Sequence, residues 1–210
     1  MVLAVVLAIL CGYLLGNLNG AVSMSTLLGH EDIRNTGSGN AGLTNFMRRY
    51  GPASGLLVVG IDVIKAVLSC LLGMCLLDPY GYAKEGMMVG ALAVSLGHDF
   101  PALLGFRGGK GILSGLAIAM TVDYRCGLVI LGIFALTLAI TRYVSLSSVL
   151  GALGFSVSFA IFYWDQPFVA VCGVLLGLLA VFMHRGNISR LIKGTERKAT
   201  FSQFRRKKNK

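Results

Sequence analysis

Apolar residues in this chain run in blocks rather than recurring every second or fourth position. Val2–Leu28, Pro52–Leu77, Cys126–Ile140, Val144–Trp164 and Pro167–Met183 carry almost no charge. About 30 Å of hydrocarbon takes roughly 20 apolar helical residues to cross, so each block is predicted to be a membrane span. Two shorter runs, Gly86–Gly97 and Ile112–Val122, reach under about 20 Å as helices. The Gly-rich segment between them must then lie at depth inside the protein. They are two short spans or one re-entrant hairpin; either returns the chain to the side it left. The first block lacks a basic leader and an A-x-A cleavage site, and is read as a span rather than a removable signal.

Composition sharpens this reading. Of 210 residues, 55% are hydrophobic and 13% charged, half the charged share of a soluble domain. Mean hydropathy is +0.75. A water-soluble globule, a disordered chain and a basic nucleic-acid module are excluded; one integral-membrane domain over residues 1–198 is expected.

The net charge of +10 is local. Arg34, Arg48, Arg49, Arg107, Lys110, Arg142 and ten residues after the last apolar run fall on one side of the predicted topology. Only Lys84 and Arg125 fall on the other, and Lys65 lies within a span. The positive-inside rule makes the richer side cytoplasmic, with the N-terminus outside and the C-terminus inside. Residues 199–210 are read as a basic cytoplasmic tail facing anionic lipid.

Unusual residues gather on that inner side. Residues 30–51 read HEDIRNTGSGNAGLTNFMRRYG, 97–111 GHDFPALLGFRGGKG, 141–148 TRYVSLSS and 184–198 HRGNISRLIKGTERK. The outer connections look like plain turns. Gly37-Ser38-Gly39-Asn40 and Gly108-Gly109-Lys110-Gly111 let backbone N–H groups converge on an anion, while Arg48 and Arg107 offer bidentate grips on phosphate. The second loop is not a Walker A motif, because Gly111 stands where the magnesium-binding hydroxyl belongs. Each loop alone also suits a tight turn; two on one face, with basic residues at membrane depth, favour anion binding.

His30 reads as interfacial, and His98 as orienting its loop or binding an anion. His184 and Asn187, three residues apart, are expected on one face of a continuing helix. None of the three histidines has metal-ligand spacing, so no metal is expected. Asp62 and Lys65, i and i+3 inside a span, form either a pair that locks two helices or part of a proton or ion pathway. The five cysteines read as small core hydrophobes.

These blocks resemble the bacterial acyl-phosphate:glycerol-3-phosphate acyltransferases of the PlsY type, from Gly12-Tyr13-Leu14 to Lys198. The resemblance implies an all-α fold of seven transmembrane helices, two of them short, with the site on the cytoplasmic side of the bacterial inner membrane. It implies acyl transfer from acyl phosphate to the sn-1 hydroxyl of glycerol 3-phosphate, with no cofactor, metal or nucleic-acid partner. Ser38, Arg48, Lys110, His184 and Asn187 take the catalytic positions. Gly37, Gly39, Asn40, Thr44, Asn45, His98, Gly108, Gly109, Gly111, Arg142, Ser145 and Glu196 are implied in binding substrate or phosphate. The chain departs from the family pattern at Gly16-Asn17-Leu18-Asn19 and at Ile112-Leu113-Ser114. Two other readings stay open: a carrier for an anionic phosphate ester, and an acyl-CoA-dependent transferase, against which no HxxxxD motif occurs.

Overall fold

The computed structural model describes residues 1–199; the basic tail, apart from Ala199, lies outside them. The described residues form ten α-helices and three single-turn 3-10 segments. The helices are α1 Val2–Asn17, α2 Gly20–Leu27, α3 Leu43–Tyr50, α4 Pro52–Leu77 and α5 Ala83–Asp99, followed by α6 Ile112–Val122, α7 Tyr124–Thr141, α8 Val144–Phe162, α9 Pro167–Met183 and α10 Arg185–Ile192. Four helices are long and apolar enough to cross a membrane, or six if the bent pairs α1–α2 and α9–α10 each count as one span. At 11 residues, α6 covers only about half the hydrocarbon thickness.

Three expectations change. The first block is not one helix: it bends by 47° between α1 and α2. The first helix ends at Asn17 with Leu18 as its C-cap; Asn19 starts the second, its side chain accepting from Val22 N at 3.0 Å, as a side-chain N-cap does. The run expected at Gly86–Gly97 extends to Ala83–Asp99. Its polar ends hid its length: Glu85 suits the positive N-terminus, and His98 and Asp99 are buried rather than solvated. The first inner loop contains α3, whose Asn45 and Phe46 turn inward while Arg49 faces out.

Small residues let the helices approach. A Cβ on Gly73 would run into the Gly86 carbonyl, and one on Gly97 into the Tyr13 carbonyl. Close backbone approach of this kind replaces the hydrophobic drive that lipid cannot supply. So α5 sits centrally, packed on α1, α4 and α9, with α8 between α7 and α9. The main core joins Met88, Val94, Ile118, Phe159 and Val169; a smaller one joins Ala21, Ile33, Phe46 and Val58 beneath the first inner loop. Leu128, Leu136, Ile140 and Val157 are exposed on the outer faces of α7 and α8, as a lipid-facing surface requires. Cys70, Cys126 and Cys172 are buried as expected, whereas Cys75 is exposed.

The connections expected on opposite sides line different hollows. The four inner ones meet around a cavity of about 950 Å³. The outer ones, with Lys84 and Arg125, line a hollow of about 570 Å³. They are more than turns: Asp123 caps α7 through Arg125 N at 2.9 Å, pairs with the Arg125 guanidinium and accepts from the Tyr163 hydroxyl at 2.9 Å.

Candidate active site

The first wall of the large cavity is the loop before α3. Gly37 and Gly39 take positive φ values of 60° and 71°, which glycine adopts without steric strain. Asn45, in the first turn of α3, reaches back into the loop. Its Oδ1 accepts from Ser38 N at 3.1 Å, and its Nδ2 donates to the carbonyls of Ile33, Thr36 and Asn40 at 3.0–3.1 Å. That amide is committed to shaping the loop. A Cβ at Gly37 would strike Asn45 Oδ1, so this glycine makes room for the staple rather than lining the cavity. Ser38, Gly39, Asn40, Thr44 and Arg48 line the cavity.

The second wall is the loop between α5 and α6. Gly109 N donates to the His98 carbonyl at 3.1 Å. A Cβ on Gly108 would collide with that carbonyl, and one on Gly109 with the His98 ring. The paired glycines thus let the loop lie flat on the end of α5. Gly111, at φ +67°, turns the chain into α6. Lys110 is left projecting, and its Nζ donates to Asn187 Oδ1 at 2.5 Å.

The third wall is the junction of α9 and α10, where the helix does not continue straight but bends by 56° at His184. Asn187 Nδ2 donates to Glu196 Oε1 at 2.9 Å, and Arg190 Nε to Glu196 Oε2 at 2.6 Å. A chain of contacts therefore runs Lys110–Asn187–Glu196–Arg190. His184 is buried, with Nδ1 2.8 Å from the Ala180 carbonyl. A carbonyl only accepts, so Nδ1 carries the proton and Nε2 keeps its lone pair. The partner that orients this ring is a backbone carbonyl, so the Ser-His-acid pattern of a nucleophilic serine is not built on His184.

Electrostatics follow from this crowding. Arg48, Lys110, Arg185, Arg190 and Arg197 line the cavity, against Glu196 and Asp62, and Asp62 is paired with Lys65. Burial pushes the Lys110 ammonium down to about 8, Arg190 adds repulsion, and Glu196 opposes both. Burial also lowers Arg48, with Arg197 adding to the effect. Burial alone would raise the Glu196 carboxyl, but hydrogen bonds from Asn187 and Arg190 hold it below the usual range. Such a surplus of fixed positive charge suits anionic groups.

Of the seventeen residues named from the sequence, two do not reach the cavity lining: Gly37, and Arg142, which is exposed at the end of α7 and lends its carbonyl to Ala199 N. Arg107 is also exposed; its carbonyl lies 3.4 Å from Arg34. The arginines that do line the cavity besides Arg48, namely Arg185, Arg190 and Arg197, were legible only as part of a basic terminal segment. Asp62 and Ser114 also line it; the Ser114 hydroxyl donates to the Asp62 carbonyl at 3.2 Å. From Lys110 and Gly111 a narrow crevice of about 40 Å³ continues between Leu116, Ile130, Phe134, Phe155 and Leu176. His30 lies outside the cavity and stacks on Tyr50 at 4.3 Å.

Comparison with known proteins identifies the family and the fold. Residues 6–194 match the family model described as glycerol-3-phosphate acyltransferase. A glycerol-3-phosphate acyltransferase from Thermoanaerobacter sp. (strain X514) is 40% identical, covering 92% of this chain and 94% of its own. One from Finegoldia magna is 37% identical, covering 92% and 95%. The crystal structure of PlsY, an integral membrane glycerol 3-phosphate acyltransferase, superposes in its glycerol 3-phosphate form with a TM-score of 0.84. Identity is 29%, over 95% of this chain and 97% of that one. The lysophosphatidic acid form gives 0.82 at 27% identity.

Proposed function

This chain belongs to the glycerol-3-phosphate acyltransferase family, and we propose that it transfers an acyl group from acyl phosphate to the sn-1 hydroxyl of glycerol 3-phosphate. The products are lysophosphatidic acid and inorganic phosphate. The observation that carries this reading is the cavity itself: among the described residues, five cationic side chains from three segments line it, only Arg190 of them paired with a carboxylate, Glu196, and it opens into an apolar crevice at Lys110. Both substrates are phosphate esters or anhydrides, and one carries an alkyl tail. A site for them needs several phosphate grips beside a dry, apolar slot.

The reaction forms a bond from the glycerol oxygen to the acyl carbon and breaks the bond from that carbon to the phosphate oxygen. Phosphate departs with the hydroxyl's proton. Arg48 and Lys110 hold the phosphate groups as charge develops, and the Ser38 hydroxyl donates to a phosphate oxygen. Asn187 and Glu196 fix the Lys110 ammonium in place. The substrate phosphate takes the proton of the attacking hydroxyl directly, or by way of the Nε2 lone pair of His184, which then passes it to the departing phosphate. The bilayer holds the acyl donor, and we read the site as lying on the cytoplasmic side of a bacterial inner membrane, a reading that the charge bias of the loops supports.

The test is transfer by purified protein given palmitoyl phosphate and glycerol 3-phosphate, with lysophosphatidic acid and phosphate measured together. Equal stoichiometric release, insensitive to EDTA, is expected. Transfer from palmitoyl-CoA but not from palmitoyl phosphate would overturn the donor assignment.

A further inference from the structure

The Asp62–Lys65 pair bears on the site through a third residue, His98. Lys65 is 2% exposed, and its Nζ lies 2.8 Å from Asp62 Oδ1, 2.7 Å from the Leu18 carbonyl and 2.7 Å from His98 Nδ1. An ammonium has three protons and accepts nothing. The Gly16 carbonyl is a fourth, longer contact at 3.4 Å; at 2.7 Å an ammonium and a ring nitrogen attract only if the nitrogen accepts, so His98 Nδ1 carries no proton. The alternative, Nδ1–H donating to Asp62, fails on distance: Oδ1 is 3.7 Å away and the ammonium is nearer. The single proton of the neutral ring therefore sits on Nε2. That nitrogen faces Gly109, where an added Cβ would collide with it, and His98 lines the large cavity.

We propose that Lys65 is a positioning residue, which holds His98 in the Nε2–H form so that the ring presents an N–H donor to a phosphate ester bound beside the Gly109–Lys110 backbone. The same ammonium accounts for the helix bend, because it satisfies the Leu18 carbonyl that the break between α1 and α2 leaves free. The pair thus serves the site as well as the packing. The inference rests on the phosphate-ester reading of the cavity.

The tautomer is readable without substrate. Full-length protein labelled with nitrogen-15 histidine, in lipid nanodiscs, should show His98 unprotonated at Nδ1 and protonated at Nε2. The His98→Gln variant identifies the signal by its loss. Glycerol 3-phosphate should then shift the Nε2–H resonance. A proton on Nδ1, or no shift at saturating glycerol 3-phosphate, overturns the proposal while leaving acyl transfer untouched. Failure of the wild type to transfer acyl groups overturns the functional reading while leaving the tautomer intact.

A second arm separates positioning from simple support. The Gln side chain supplies an N–H near the Nε2 position without depending on a tautomer. Lys65→Met should raise KM for glycerol 3-phosphate about tenfold or more in the wild-type background, yet less than about twofold in the His98→Gln background. Equal losses in both would make Lys65 a strut and overturn the proposal. Should Lys65→Met fail to fold, the wild-type spectrum decides alone.

Discussion

Lys110 and Asn187, 77 residues apart in the chain, meet at 2.5 Å, the ammonium donating to the side-chain carbonyl oxygen. That bond uses one of three ammonium protons and leaves two for a ligand. Lys110→Ala should therefore lower kcat/KM by about tenfold to a thousandfold. Asn187→Ala keeps the charge but frees its position, and should cost about tenfold. Steady-state kinetics on folded variants checks both. Near-normal values in each would reduce the glycine-lysine loop to a turn.

The pH dependence has a definite sign. With the Lys110 ammonium titrating near 8, its charge is complete below that pH and is lost as pH rises through it. The profile of kcat/KM should fall on the alkaline side from about pH 8. Lys110→Arg retains charge throughout this range, so its alkaline fall should move upward even if its plateau is lower. An unmoved fall would assign the titration to another group.

Asn45 offers a test of loop shape apart from charge. Asn45→Asp keeps the oxygen that accepts from Ser38 N, but sets an acceptor against the three carbonyls that Nδ2 now serves. Each lost bond is worth about 1 kcal/mol. A fall in thermal midpoint of several degrees and loss of most activity are expected. A variant with wild-type stability and rate would show that the staple does not shape the site.

Ser38 distinguishes direct transfer from an acyl-enzyme route. Its backbone N–H is held by Asn45, and His184, a candidate base that lines the same cavity, is oriented by a carbonyl rather than a carboxylate. Initial-rate plots should intersect, and enzyme mixed with acyl phosphate alone should gain no acyl mass. Parallel lines with a stable adduct on Ser38 would make the serine a nucleophile.

Much of the architecture is legible in the residues alone. The bounds of α9 and the start of α8 follow from where apolar runs meet Pro167 and the Arg142-Tyr143 corner. The two glycine loops and the basic segment after His184 mark the phosphate end of the molecule. These are local properties: helix propensity, span length and charge bias depend on residues near one another in sequence. The departure at Asn17-Leu18-Asn19 signals irregularity there, but not a bend of 47°.

Only the tertiary structure decided which polar groups find partners. Arg142 and Arg197 are the same residue type, both exposed and both on the predicted inner side, yet only Arg197 lines the cavity. Asn45 and Asn187 look alike as candidate ligands, but one staples its own loop while the other holds Lys110. Asp62 and Lys65 announce a buried pair, while their link to His98 depends on how α4 and α5 pack. Hydrogen bonds act within about 3 Å, so their partners are set by the approach of segments far apart in the chain. The small residues Gly16, Gly73, Gly86 and Gly97 permit that approach without indicating which atoms will meet.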